Sequence, residues 1–263
     1  MTTRQLHFAD DREAADLAAF LSRLLHYDRA AAVRLQAGGG VLAVFGRPPS
    51  FEVLAIRTAR LAQPATEQLD TTVSAGQFAD ALDAARPSGA PEGPGPRGLT
   101  VAVPDPVTGP PWAGVLPPRG GWQRMPGLPG TEAMRGAVAA AIAEFRARDE
   151  ALPEERRTRA ERDRIGRQIW SRTLGDTELP LRAVHAAQSL GFLRPGRTPQ
   201  RPAASAATAL GDAASATRGA GSTAVADEPL ALLTAGSWLR LRTPYGSIAV
   251  RRAGLSALPL SPV

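Results

Sequence analysis

The 263-residue chain contains no cysteine, no lysine and no asparagine. Each absence removes chemistry. Without cysteine there is no disulfide, no thiol nucleophile and no thiolate metal site. Without lysine there is no P-loop lysine, Schiff base or catalytic amine, so all 31 basic residues are arginine. Only three histidines occur, His7, His26 and His185, and no two stand at the i, i+4 spacing that sets two imidazoles on one helix face. No zinc site, other metal or cofactor is therefore expected. No apolar run approaches the roughly 18 to 20 residues that cross a bilayer, and MTTRQLHFADDRE lacks a charged segment followed by an apolar one. The expectation is a cytoplasmic protein with no membrane partner.

What is present suffices for a core, since 43% of residues are hydrophobic. The net charge of +6 is unevenly spread. Residues 1–130 hold 12 arginines and 12 acids, 131–193 hold 11 and 10, and 194–263 hold eight and three. The basic excess is C-terminal.

The stretch 31–61, AAVRLQAGGGVLAVFGRPPSFEVLAIRTARL, places three strand-like apolar runs in succession. Val33 and Leu35 alternate with Arg34 and Gln36, Val41 to Phe45 is apolar throughout, and Phe51 to Ile56 is apolar apart from Glu52. Glycines 38–40 and Gly46-Arg47-Pro48-Pro49-Ser50 supply the turns. Gly38-Gly39-Gly40-Val41-Leu42-Ala43 fits G-x-G-x-x-A, yet a strand follows it instead of a helix. No acid for a ribose stands in 57–63, so it reads as a hairpin turn.

Asp10 and Glu13 open an amphipathic helix over about 10–27 with Leu17, Phe20, Leu21, Leu24 and Leu25 on one face. Leu69 to Ser74 predicts a fourth strand, and Ser74-Ala75-Gly76-Gln77 opens a helix burying Phe78 and Leu82. After a Pro/Gly-rich excursion over 87–98, Leu99 to Val103 resumes strand character. Residues 104–130 are dense in Pro and Gly but carry Trp112, Leu116 and Trp122, which predicts extended segments packed on the sheet.

Met134, Val138, Ala141, Ile142 and Phe145 mark a third helix; a fourth is expected from Pro153 to about Leu174. Its polar first half offers Glu155 with Arg159, Glu161 with Arg164 and Asp163 with Arg167 as ion pairs on a solvated face. Pro180 starts a short fifth helix ended by Gly191. Residues 195–228 have no periodic apolar face and read as a disordered insert. Then WLRLRTPYGSIAVRR (238–252) predicts a hairpin about Thr243-Pro244-Tyr245-Gly246. Pairing Arg242 with Ser247 sets Leu239, Leu241, Ile248 and Val250 on one face. Ungapped, VRLQAGGGVLAV and LRLRTPYGSIAV agree at five of twelve positions, too few to establish a duplication.

The order helix, three strands, strand, helix, strand over 10–120, with TTVSAGQFADAL inside it, resembles one domain of a DNA sliding clamp. HAAQSLGFLRPG followed by WLRLRTPYGSIAVRR resembles the end of a winged-helix module. The whole chain is similar to uncharacterised proteins of high-GC actinobacteria. The clamp resemblance implies a fold only, because clamps face DNA with basic helices. Here Asp10, Asp11, Glu13 and Asp16 stand against Arg12 and Arg23.

The expected architecture is α+β: an antiparallel sheet with two helices over 1–128, a three-helix region over 129–194, the insert, and a C-terminal β-hairpin over 229–254 completing the C-terminal region. No catalytic residue is assigned. Arg240, Arg242, Arg251, Trp238 and Arg182 are the candidate residues for an anionic partner. The expected function is that of a non-catalytic interaction or scaffold protein with a protein partner. The alternatives are a nucleic-acid-associated protein using the C-terminal arginines, or an enzyme of unidentified type. Leu42→Asp or Ile56→Asp is expected to unfold the N-terminal part, because a carboxylate buried without a partner costs several kcal/mol against a total stability of about 5 to 15 kcal/mol. Circular dichroism and a urea titration check this, and a soluble cooperative variant would contradict it.

Overall fold

A computed structural model describes residues 4–63, 69–86, 98–194 and 230–252. The expected insert over 195–228 and most of the 87–98 excursion lie outside them. The elements in order are β1 (Gln5–Phe8), α1 (Asp11–Tyr27), β2 (Ala32–Gly38), β3 (Val41–Gly46), β4 (Leu54–Arg60), β5 (Leu69–Ser74), α2 (Ala75–Ala84) and β6 (Leu99–Ala102). Then come β7 (Gln123–Met125), α3 (Thr131–Glu150), α4 (Arg159–Trp170), α5 (Leu181–Ser189), β8 (Ala231–Ala235), β9 (Trp238–Thr243) and β10 (Gly246–Arg251). The fold is α+β.

Eight strands form one antiparallel sheet in the order β5-β2-β3-β4-β10-β9-β8-β7, while β1 and β6 pair separately. The hairpin β9–β10 has the expected register, with Arg242 opposite Ser247 and Leu241 opposite Ile248. It does not project as a wing. β10 pairs with β4 and β9 pairs with β8, so both outer edges of the hairpin are occupied inside the sheet.

The alternation of each strand divides the sheet into two faces. Val33, Leu35, Leu42, Val44, Ala55, Leu239, Leu241, Ile248 and Val250 turn toward the helices and join Leu17, Phe20, Phe78, Met134, Ile169 and Val184 in a single core. On the other face Phe45, Leu54, Ile56 and Ala249 form a smaller cluster on which Trp112, Leu116 and Trp238 rest. The Pro/Gly-rich stretch thus covers the sheet, and Arg34 fixes it by donating to Ala113 O at 2.9 Å and to Asp70 at 2.8 Å.

Local signals act as expected at several ends. Asp10 accepts from Glu13 N at 2.9 Å and Ser74 from Gln77 N at 3.4 Å. At the end of α5, Gly191 has φ +75°, its N–H donates to Gln188 O and that of Phe192 donates to Ala187 O. This is a Schellman cap.

Other boundaries differ from expectation. β4 runs from 54 to 60 instead of 51 to 56, because Arg57 and Arg60 do not end it: Arg57 donates to Asp16 at 3.0 Å and Arg60 to Glu13 at 2.8 Å, both on α1. Pro153 opens only a 3-10 turn over Glu154–Arg156, and α4 begins after Thr158, whose hydroxyl accepts from Glu161 N. Glu161 pairs with Arg164 as expected, whereas Asp163 lies 3.9 Å from Arg159. β1 and β8 had no strand signal: QLHF is four residues long, and ALLTA is rich in residues without strand preference.

The join between β4 and the hairpin is tightly fitted. Gly246 has φ +149°, and a Cβ there would stand 2.6 to 2.9 Å from three atoms of the Phe192 ring, which in turn stacks on Phe20 at 5.8 Å. Gly246→Ala is therefore expected to lower stability by about 1 to 3 kcal/mol. Gly136→Ala, with nothing within 4 Å, should raise it by up to about 1 kcal/mol. Paired urea unfolding curves check both, and an unaffected Gly246→Ala would contradict this packing.

Candidate binding cleft

Of the five residues singled out from the sequence, four share one face of the sheet and the fifth, Arg182, lies elsewhere. Trp238, Arg240 and Arg242 alternate along β9 with the core residues Leu239 and Leu241, and Arg251 stands opposite Trp238 on β10, so all four belong to the covered face. There the Arg251 guanidinium lies 5.2 Å over the Trp238 ring and that of Arg240 lies 5.7 Å over Trp122. Each pair is a cation–π contact. Arg242 is half-buried. Arg182, at the start of α5, lies in a different place, 4.0 Å from Glu52 in the turn before β4. The helix α5 offers little for a nucleic-acid groove, since Leu181, Ala183, Val184, Ala186 and Ala187 are all buried.

Arg182 instead borders a cleft of about 780 Å³ between α4, α5 and the β3–β4 turn. Its wall is a row of rings. Trp170 stacks on His185 at 4.3 Å and 21°, Phe51 meets His185 edge-on at 5.0 Å, and Tyr27 meets Phe51 edge-on at 5.4 Å. These are the offset and edge-to-face arrangements that the ring quadrupole favours. Burial of the His185 imidazole disfavours its protonated form and pulls its pKa below the ordinary histidine value.

Charged groups frame the rings. Arg162 donates to Asp149 at 2.7 Å, Asp163 lies near Arg159, and Arg167 is exposed with no ion-pair partner among the described residues. Nε of Arg182 is a buried atom without a hydrogen bond, so its 4.0 Å pairing with Glu52 is loose. Glu52 has φ +52°, the one non-glycine residue among those described with positive φ. Such a conformation costs about 1 kcal/mol or more and places local strain at the cleft's rim.

Sequence reasoning found Arg182 but missed Phe51, Trp170 and His185 as neighbours, because they come from three elements far apart in the chain. Among the described residues no group of three or more His, Asp or Glu is placed to hold a metal ion. No helix of the described residues is long and apolar enough to cross a membrane.

These features define an α+β protein with an eight-stranded antiparallel sheet, a separate two-stranded one and an aromatic, arginine-rimmed cleft. Residues 117–255 match the family described as Domain of unknown function (DUF8185), and the chain belongs to it. Residues 1–114 match Domain of unknown function (DUF8010). A search of curated proteins finds no match. The first match ends at 114 and the second begins at 117, both within the segment that covers the sheet. Both the sheet and the row of rings run across that point, since β4 pairs with β10 and Phe51 meets His185.

The His185 shift makes the fold pH-dependent in a defined direction. The unfolded chain takes up a proton near pH 6.5 while the folded chain resists it, so stability is full above that pH and falls as the pH drops through it. Asp70, held below the usual carboxylate range first by its hydrogen bond from Arg34, loses its contribution only below about pH 4. Thermal melts between pH 8 and 5 are expected to show a decline that His185→Phe, which keeps a ring between Trp170 and Phe51, removes. An unchanged decline in the variant would contradict the assignment.

Proposed function

We propose that the protein is a non-catalytic interaction protein of the cytoplasm and that a protein partner seats in the cleft between α4, α5 and the β3–β4 turn. The observation that carries this is the combination of half-buried rings with loosely engaged guanidinium groups around one concave surface: Trp170 and His185 beside Arg167 and Arg182. Tryptophan, tyrosine and arginine dominate binding hot spots, because they bring a large apolar area and directional donors to one place. A ring already stacked on its neighbours loses little side-chain entropy on binding.

The nucleic-acid alternative finds less support. It would use α5 and the hairpin, but α5 is buried on most of its surface and the hairpin is internal to the sheet. Its arginines Arg240 and Arg251 already lie over indole rings.

Affinity capture distinguishes the two. Wild-type protein and an Arg240→Ala/Arg242→Ala/Arg251→Ala variant are expected to retain the same partner chain, insensitive to nuclease, and Trp170→Ala/Arg167→Glu to weaken retention by at least about tenfold. Nuclease-sensitive capture, lost in the triple arginine variant and kept in the cleft variant, would overturn the proposal. Binding through three phosphate contacts would also show a salt slope near −2.7, at about −0.9 per contact.

A further inference from the structure

The helix α4, RAERDRIGRQIW, carries a glycine in its interior. Glycine is the poorest helix former after proline, and Gly166 has no positive φ to require it. Packing does not require it either. A Cβ at 166 would lie 3.7 Å from Phe145 Cε2 and 3.8 Å from Trp170 Cδ1, which is ordinary contact. The missing side chain leaves a gap between two aromatic edges on the lining of the cleft.

Arg162, Gly166 and Trp170 follow one another at spacing four, so they form one row along α4, with Arg167 on the adjacent turn. The cleft therefore presents an apolar notch flanked by guanidinium groups. Against Arg162, Arg167 and Arg182 stand two carboxylates, Asp163 and Glu52. Asp163 is 3.9 Å from Arg159 outside the cleft, and Arg167 pairs with no described acid. A carboxylate can meet Arg167 without displacing an ion-pair partner among the described residues, whereas a basic segment would meet a guanidinium that no described acid offsets.

We infer that the occupant of the cleft is an acidic peptide segment with one large apolar or aromatic anchor, its side chain seated over Gly166 between Phe145 and Trp170 and its carboxylates on Arg167 and Arg182. This rests on the interaction role proposed above. Arg162 stays with Asp149 and is not engaged by the segment. The absent side chain at 166 thus serves recognition, and filling it blocks the seat without harming the helix.

The test titrates the full ¹⁵N-labelled chain with the peptide acetyl-EEFEE-amide and follows the Trp170 indole N–H resonance, assigned with Trp170→Phe. Controls are acetyl-EEAEE-amide, acetyl-KKFKK-amide and a ten-nucleotide thymidine oligomer. The phenylalanine peptide should shift the resonance saturably, with at least tenfold weaker binding for the alanine peptide and for Arg167→Glu. Gly166→Leu should abolish the shift with a melting temperature equal to or above wild type, because leucine is the better helix former. Undiminished binding by Gly166→Leu or Arg167→Glu, or equal binding of the alanine or lysine peptide, would overturn the inference. Failure of every peptide while a partner chain is still lost from the Trp170→Ala/Arg167→Glu variant would overturn it too and leave the interaction role standing. A response to the oligonucleotide alone would overturn both.

Discussion

The structure depends on the closure between β4 and β10, where the two halves of the chain become one sheet. Three residue pairs of backbone hydrogen bonding cannot hold such a seam unless the layer above it fits, and the fit is made by Phe192 lying on the bare backbone of Gly246 and against Phe20. A buried guanidinium completes it. Arg57 donates to Asp16 on α1 and to the carbonyl of Tyr245 in the hairpin turn, while Arg194 also approaches Asp16 at 3.6 Å. Burial opposes the charged form of Arg57, and the carboxylates of Asp16 and Glu13 oppose that penalty. Removing one partner would leave a buried charge uncompensated, which is the costly way to break such a pair.

The cleft is a consequence of this seam. Docking the hairpin on β4 brings α5, which packs on β10, up to the β3–β4 turn, and only then do Phe51 and His185 meet. Neither family segment holds the whole wall, since Tyr27 and Phe51 come from the first and Trp170 and His185 from the second. The acids of α1 that looked like an unfavourable lining for a nucleic acid are structural: Asp10, Glu13 and Asp16 bind Arg60 and Arg57 of the adjacent strand.

Much of the fold was legible because its signals are local. The Leu17, Phe20, Leu21, Leu24 stripe, the Asp10 and Ser74 caps, the Gly191 stop and the Arg242 to Ser247 register each depend on residues within one or two turns. What was not legible depends on partners distant in sequence. Arg57 and Arg60 read as the end of a strand because their acids lie more than forty residues earlier. The hairpin read as completing the helical part because nothing near it announces β4. The cleft was invisible for the same reason, although Gly166 inside a helical pattern was a clue: a residue that weakens its own element needs an explanation elsewhere.

Joined at β4 and β10, the chain is expected to behave as one cooperative unit. Native-state hydrogen exchange in increasing urea tests it most directly, following the amides of Ile56 in β4, Ile248 in β10 and Ile169 in α4. All three amides should reach the same opening free energy with the same urea dependence, that of global unfolding. Exchange of Ile248 and Ile169 through a smaller opening that leaves Ile56 protected would contradict it.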